Sequence, residues 1–260
     1  MARRGVVGVS PADPASVDSA TIDPATFDPE TQRFSDWCRE RVGSDWTAAT
    51  EHRFTERLHA DTLDDAAFRR YLVQDRAFLA DLVGTFGHAV GEAPSMAAKG
   101  RLTDFLGVLT DDENDFFQRA FDALDVPESE RADPPRAPVT RAFADLLARA
   151  RQTGGYAATL AVLVPAEWVY LDWARAGESR PERWYLDEWV ALHDTDAFAD
   201  FVSWLRAEFD REAAVAAPAR QRQCARLFGR TVELEVAFFE AALAPDSEAV
   251  AALTGGGQRW

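Results

Sequence analysis

Three acidic residues interrupt stripes of apolar side chains. In a helix expected over 64–92 the apolar face runs Phe68, Tyr71, Leu72, Asp75, Leu79, Leu82, Phe86, with Phe78 nearby. Steps of three and four, apart from the adjacent pair Tyr71-Leu72, place these side chains on one face, and Asp75 sits in its middle. Over 155–176 the stripe is Leu160, Leu163, Val164, Glu167, Tyr170, Leu171, Ala174, with Glu167 central. Over 218–243 it is Phe228, Thr231, Glu235, Phe238, Phe239, Ala242, and Glu235 is central again. A carboxylate among apolar neighbours is costly unless a cation, a hydroxyl or a helix end satisfies it, or a proton neutralises it. With 44 acidic residues in the chain, such a partner would account for any single case. Three cases on three core helices, flanked by Tyr and Trp, point to groups that converge between helices.

Two chemistries suit such a cluster. Bundle di-metal sites use glutamates with two Glu-x-x-His pairs. Here there is one such pair, Glu56/His59, and His52, His59, His88 and His193 are the only histidines. His52 or His59 could ligate a haem, but nothing singles them out. The other chemistry is metal-free recognition of a nitrogen heterocycle, since a carboxylate accepts two parallel N–H bonds from an amino group and a protonated ring nitrogen. Phe78, Phe143, Trp168, Tyr170, Trp173 and Trp204 are candidate walls for a flat ring, although core packing accounts for most aromatics. The expectation is a site without metal or cofactor.

The elements that must position these residues are helical. There are 260 residues, 47% of them hydrophobic, without alternating strand patterns. Helices are expected near 34–61 (broken close to Thr50), 64–92, 95–125, 138–152, 155–176, 181–193, 195–214, 218–243 and 246–253. Short connections suit one all-α domain over 34–253. Residues 1–33, rich in Pro, Ala, Ser, Thr and Asp, read as a flexible leader, and 254–260 as a loose tail.

The formal net charge is -16, so nucleic acid and anionic membrane surfaces are unsuited as partners. Lys99 is the only lysine, and this Lys-poor acidity suits a protein kept hydrated in high salt. Cys38 and Cys224 form neither a disulfide scaffold nor a zinc spacing. MARRGVVGVS has no apolar core of a signal peptide, and no apolar run is long enough to span a membrane. A cytoplasmic protein is expected.

Beside this reading stands a resemblance. His52-Arg53-Phe54 followed by Tyr71-Leu72-Val73-Gln74-Asp75 resembles the opening of TenA proteins, the thiaminase II family, with its "YxxQD"-like element. The stretch from Leu163 to Tyr170 is similar to the family's "LxPCxWxY" segment, and Thr231 to Phe239 to its "ExxFW" helix. The three lie in order across roughly 34–243. The resemblance implies a haem-oxygenase-like all-α bundle, usually without haem, homo-oligomers such as dimers or tetramers, and hydrolysis at the exocyclic carbon of a thiamine-derived aminopyrimidine. The family's nucleophilic cysteine is replaced here by Ala166. Glu167-Trp168-Val169-Tyr170-Leu171-Asp172-Trp173 is similar to the "ExVYxxxW" segment of a cysteine-lacking branch, associated with salvage of amino- or formylamino-pyrimidines. Two family tyrosines align with Phe143 and His193.

The expected roles follow. Asp75 holds the pyrimidine edge, Glu167 and Glu235 divide acid and base work, Tyr170 orients a carboxylate, Phe78 and Phe143 stack on the ring, and His193 helps set substrate choice. A di-metal oxidase and a non-catalytic pyrimidine binder are the competing functions.

Overall fold

The computed structural model describes residues 27–131, 134–177, 179–245 and 250. Within them the chain is helical, with no strand among the described residues. The segment expected over 34–61 is broken close to Thr50 as expected, and divided once more, into α1 (Phe34–Val42), α2 (Ser44–Thr50) and α3 (Arg53–His59). The first break falls at Gly43, whose φ of 53° suits glycine. The second is closed by His52, whose Nδ1 accepts from Phe54 N at 3.1 Å and so caps α3.

Asp64 caps α4 (Asp65–Glu92), accepting from Ala66 N at 2.8 Å. The helix expected over 95–125 is also divided, into α5 (Met96–Thr110) and α6 (Asp112–Ala123), hinged at Asp111. The bend lets Phe116, Phe117 and Phe121 bury fully. A single turn, α7 (Glu128–Arg131), lies in the expected loop. Then come α8 (Pro138–Thr153), α9 (Gly155–Ala176), α10 (Trp184–His193), α11 (Asp196–Ala214) and α12 (Pro218–Leu243). Prolines open α8 and α12, where the missing N–H costs no helix bond.

Helix α9 is the axis of the bundle. It is buried on nearly every side from Tyr156 to Ala174 and packs against α2, α4, α8, α10, α11 and α12. A helix apolar all round has to be central. Pro165 lies inside it and leaves the Ala161 carbonyl without its usual i+4 donor.

Of the leader expected over 1–33, residues 1–26 lie outside those described. Residues 27–33 are attached to the bundle: Phe27 packs edge-on to Phe34 at 5.0 Å, and Arg33 pairs with Asp210 at 2.6 Å. The short helix expected at 246–253 is described only at Val250, and the tail 254–260 lies outside the described residues. Among the described residues no helix is long and apolar enough to cross a membrane.

Candidate active site

Helices α4, α6, α9 and α10 bring Asp75, Glu113, Ala166, Glu167, Tyr170 and His193 around one cavity, with Phe78, Leu79, Leu82 and Leu109 as its apolar wall. The cavity measures about 30 Å³, room for roughly two water molecules. A larger cavity of about 420 Å³ lies on the far side of Tyr71, bordered by Arg69, Arg70, Gln74, Val139 and Phe238. None of the three inward carboxylates borders it, and its arginines are engaged, Arg69 with Glu130 and Arg70 with the Ala242 carbonyl. Asp75 and Glu167 border the smaller space instead.

Asp75, Glu167 and Glu235 are only 4%, 6% and 2% exposed. Burial pushes each carboxyl well above the ordinary carboxylate range, and acidic neighbours push further: Glu113 acts on Asp75, Glu113 and Asp75 on Glu167, and Asp75 and Glu167 on Glu235. Among the described residues no cation offsets any of the three. Oε1 of Glu167 and Oε1 of Glu235 are buried without a hydrogen-bond partner among the described residues.

Glu208 is the instructive contrast. It is also 6% exposed, but Tyr156 Oη donates to it at 3.1 Å and the Arg211 guanidinium bonds both its oxygens. The common fate of a buried carboxylate is thus realised at Glu208 and absent from the other three. An unpaired buried polar atom costs about 1–3 kcal/mol, so native chains keep few of them.

Not every expected residue reaches the cavity. Glu235 does not border it, and feels the charges of Asp75 and Glu167 from outside its wall. Phe78 is on the wall, whereas Phe143 sits behind it, 4.8 Å from the Phe78 ring and 6.0 Å from Phe238. Tyr170 Oη meets Tyr71 Oη at 2.7 Å instead of a carboxylate. Burial, with Asp75 next, holds both phenols above their usual range, so they are neutral. His193 hands its Nδ1 proton to the Trp189 carbonyl at 2.9 Å, and burial lowers its pKa to about 4. Its Nε2 therefore carries a lone pair near neutral pH. Trp168 is clasped by Arg206 at 3.6 Å and Arg39 at 5.0 Å, and Trp204 by Arg101 at 5.3 Å; neither borders the cavity.

Ala166 stands on the cavity wall, while Cys38 and Cys224 are buried on α1 and α12. Burial raises both thiols, Cys224 to about 12 and Cys38 well above its usual value, which leaves neither as a thiolate nucleophile. His59 Nε2 meets the Trp173 carbonyl at 3.0 Å. Among the described residues no three His, Cys, Asp or Glu side chains are placed to hold a metal ion.

Glu113 was not singled out in the sequence. It lies in the run Asp111-Asp112-Glu113-Asn114-Asp115, which reads as a solvated face. The bend at Asp111 turns it inward, and burial raises its pKa to about 8 against the lowering pull of Arg76. Nothing in the spacing announces that bend, since no Gly or Pro marks it.

Gln74, next to Asp75, ties helices together. Its Oε1 accepts from Ala137 N and Thr140 Oγ1, each at 2.7 Å, and its Nε2 donates to the Pro135 carbonyl at 3.1 Å. It thereby satisfies the open N-terminus of α8 and fixes that helix against α4.

Comparison with known proteins agrees with this architecture. The chain is 21% identical over 206 residues to an aminopyrimidine aminohydrolase of Halalkalibacterium halodurans, covering 78% of this chain and 92% of that one. It is 23% identical over 185 residues to an aminopyrimidine aminohydrolase of Bacillus subtilis, covering 70% and 77%. Among solved structures, a TenA homologue from P. horikoshii superposes with a TM-score of 0.73 at 20% identity, covering 81% of this chain and 98% of that one. A protein described as a TenA family transcription regulator, from a Silicibacter species, gives 0.74 at 21%, covering 82% and 97%. The chain thus has the helical haem-oxygenase-like fold of those structures. Residues 39–244 match the family described as TENA/THI-4/PQQC, and the chain belongs to that family.

Proposed function

We propose that this protein is a thiamine-salvage hydrolase that cleaves the amino or formylamino group from the exocyclic methylene carbon of an aminopyrimidine, leaving a hydroxymethyl group, using carboxyl groups alone. The observation that carries the reading is the buried Asp75–Glu167–Glu235 cluster, uncompensated by any cation and set beside Phe78. Two family relatives bearing the name aminopyrimidine aminohydrolase support it.

A carboxyl that keeps its proton offers one O–H donor and one carbonyl acceptor. Asp75 would present this pair to a ring nitrogen and the neighbouring amino group. Phe78 lies against the ring, with Phe143 bracing Phe78 from behind. Glu167 borders the cavity and would meet the aminomethyl carbon. Glu235 is coupled to it and takes the complementary role. The C–N bond breaks with its electron pair leaving on nitrogen, which gains a proton from one glutamate. Water bonds to the carbon and gives a proton to the other. The Tyr71–Tyr170 hydroxyl pair and His193 complete the polar wall and would discriminate among ring substituents.

The reading places the chain in a cysteine-independent branch, which Ala166 on the cavity wall supports. It includes a cytoplasmic location, self-association as a dimer or tetramer, and adaptation to salt.

Release of ammonia from an aminomethyl-aminopyrimidine, of formamide from its formylamino counterpart and of the thiazole from thiamine tests the activity. Glu167→Gln and Glu235→Gln are each expected to lower kcat about 10²-fold or more with the helical spectrum intact. Near-normal turnover in either would overturn the assignment of that residue, and binding without product in the unaltered protein would make this a pyrimidine-binding protein.

A further inference from the structure

We infer that Glu113 is the residue through which protons pass between solvent and the sealed Asp75–Glu167–Glu235 cluster during turnover. The inference rests on the hydrolysis proposed above. That reaction divides acid and base work between two glutamates. After each cycle the acid has lost a proton and the base has gained one; the two changes balance, and the pair is reset by returning the surplus proton to solvent and drawing the missing one from it through a group that reaches both. Asp75, Glu167 and Glu235 are all buried, Asp75 and Glu167 reach only the small cavity, and bulk solvent is nearer to a more exposed group.

Glu113 is placed to do this. It borders the same cavity as Asp75 and Glu167, and it is half-buried where the other three carboxyls are buried. It arrives from α6, an element that supplies none of the other three. The other polar groups on the wall are occupied. Tyr170 is paired with Tyr71, and His193 is buried and bonded to the Trp189 carbonyl.

The charged and titratable groups around Glu113 are Tyr71, Asp75 and Arg76 from α4, Glu167 and Tyr170 from α9, and His193 from α10. Arg76 is the one cation acting on it. With a pKa raised to about 8, Glu113 gains and loses its proton close to neutrality, whereas His193, lowered to about 4, does not. A relay group works best when its two states are nearly balanced at working pH.

The experiment is a pH series of kcat and KM on the full chain with the aminomethyl-aminopyrimidine, for the unaltered protein, E113Q and E113D. The unaltered protein is expected to show an alkaline limb with a midpoint near pH 8. E113Q is expected to lose that limb and about tenfold or more of kcat, with KM little changed, and to recover turnover as imidazole buffer is raised. E113D, which keeps the carboxyl, retains the limb with reduced kcat. If E113Q does not fold, E113D with unaltered kcat and no limb near pH 8 overturns the inference. An active protein whose E113Q form keeps the original kcat and pH profile overturns the relay alone. A protein that turns over no aminopyrimidine overturns the hydrolase reading, and the relay with it.

Discussion

At the scale of single residues, the buried carboxyls set function against stability. Each has a folded pKa above its unfolded one, so the unfolded chain releases protons first as pH rises. Stability contributed by the protonated form is fully present below about pH 4 and is lost as pH climbs toward the raised folded value. The slope for one fully released proton is about 1.4 kcal/mol per pH unit. Glu235→Gln removes one such group, so its unfolding temperature, measured from pH 5 to pH 8, should fall less steeply than that of the unaltered protein. An equal slope would mean that Glu235 is already ionised in the folded protein. Asp75, Glu167 and Glu235 were legible in the sequence because a charge in the middle of an apolar stripe is conspicuous. Glu113 was hidden by its acidic neighbours, and Phe143 reads as a wall residue although a second aromatic stands in front of it.

At the scale of elements, helix periodicity and punctuation were legible for α4, α8, α9, α11 and α12 because caps, prolines and glycines mark their ends. The divisions at Gly43 and Asp111 were not. Each occurs where tertiary packing chooses between a straight and a bent helix, and at Asp111 the bend delivers both three buried phenylalanines and Glu113. Gln74 shows how one side chain can hold two elements in register. Gln74→Ala leaves the Ala137 amide and the Thr140 hydroxyl without their acceptor. A loss of about 1–3 kcal/mol in a urea titration is expected. The same change should raise KM more than it lowers kcat, because α8 carries the Phe143 that braces Phe78. An unaltered urea midpoint would show that water replaces the glutamine without cost.

At the scale of the whole molecule, the charge of -16 acts through self-repulsion. Raising salt from 0.1 M to 1 M shortens the screening length from about 10 Å to about 3 Å. The proposed salt adaptation therefore predicts an unfolding temperature that climbs with potassium chloride and a greater associated fraction in light scattering. A flat or falling response would assign the acidity to composition alone.

A space with room for roughly two waters cannot admit a substituted six-membered ring as it stands. Under the proposed function, a ring ligand would then have to meet a wider form of the bundle. Observed affinity is then the intrinsic affinity scaled by the fraction of the protein in that form. Tightly packed leucines and phenylalanines on the wall would make entry slow and departure slow alike, so long residence can accompany modest equilibrium binding.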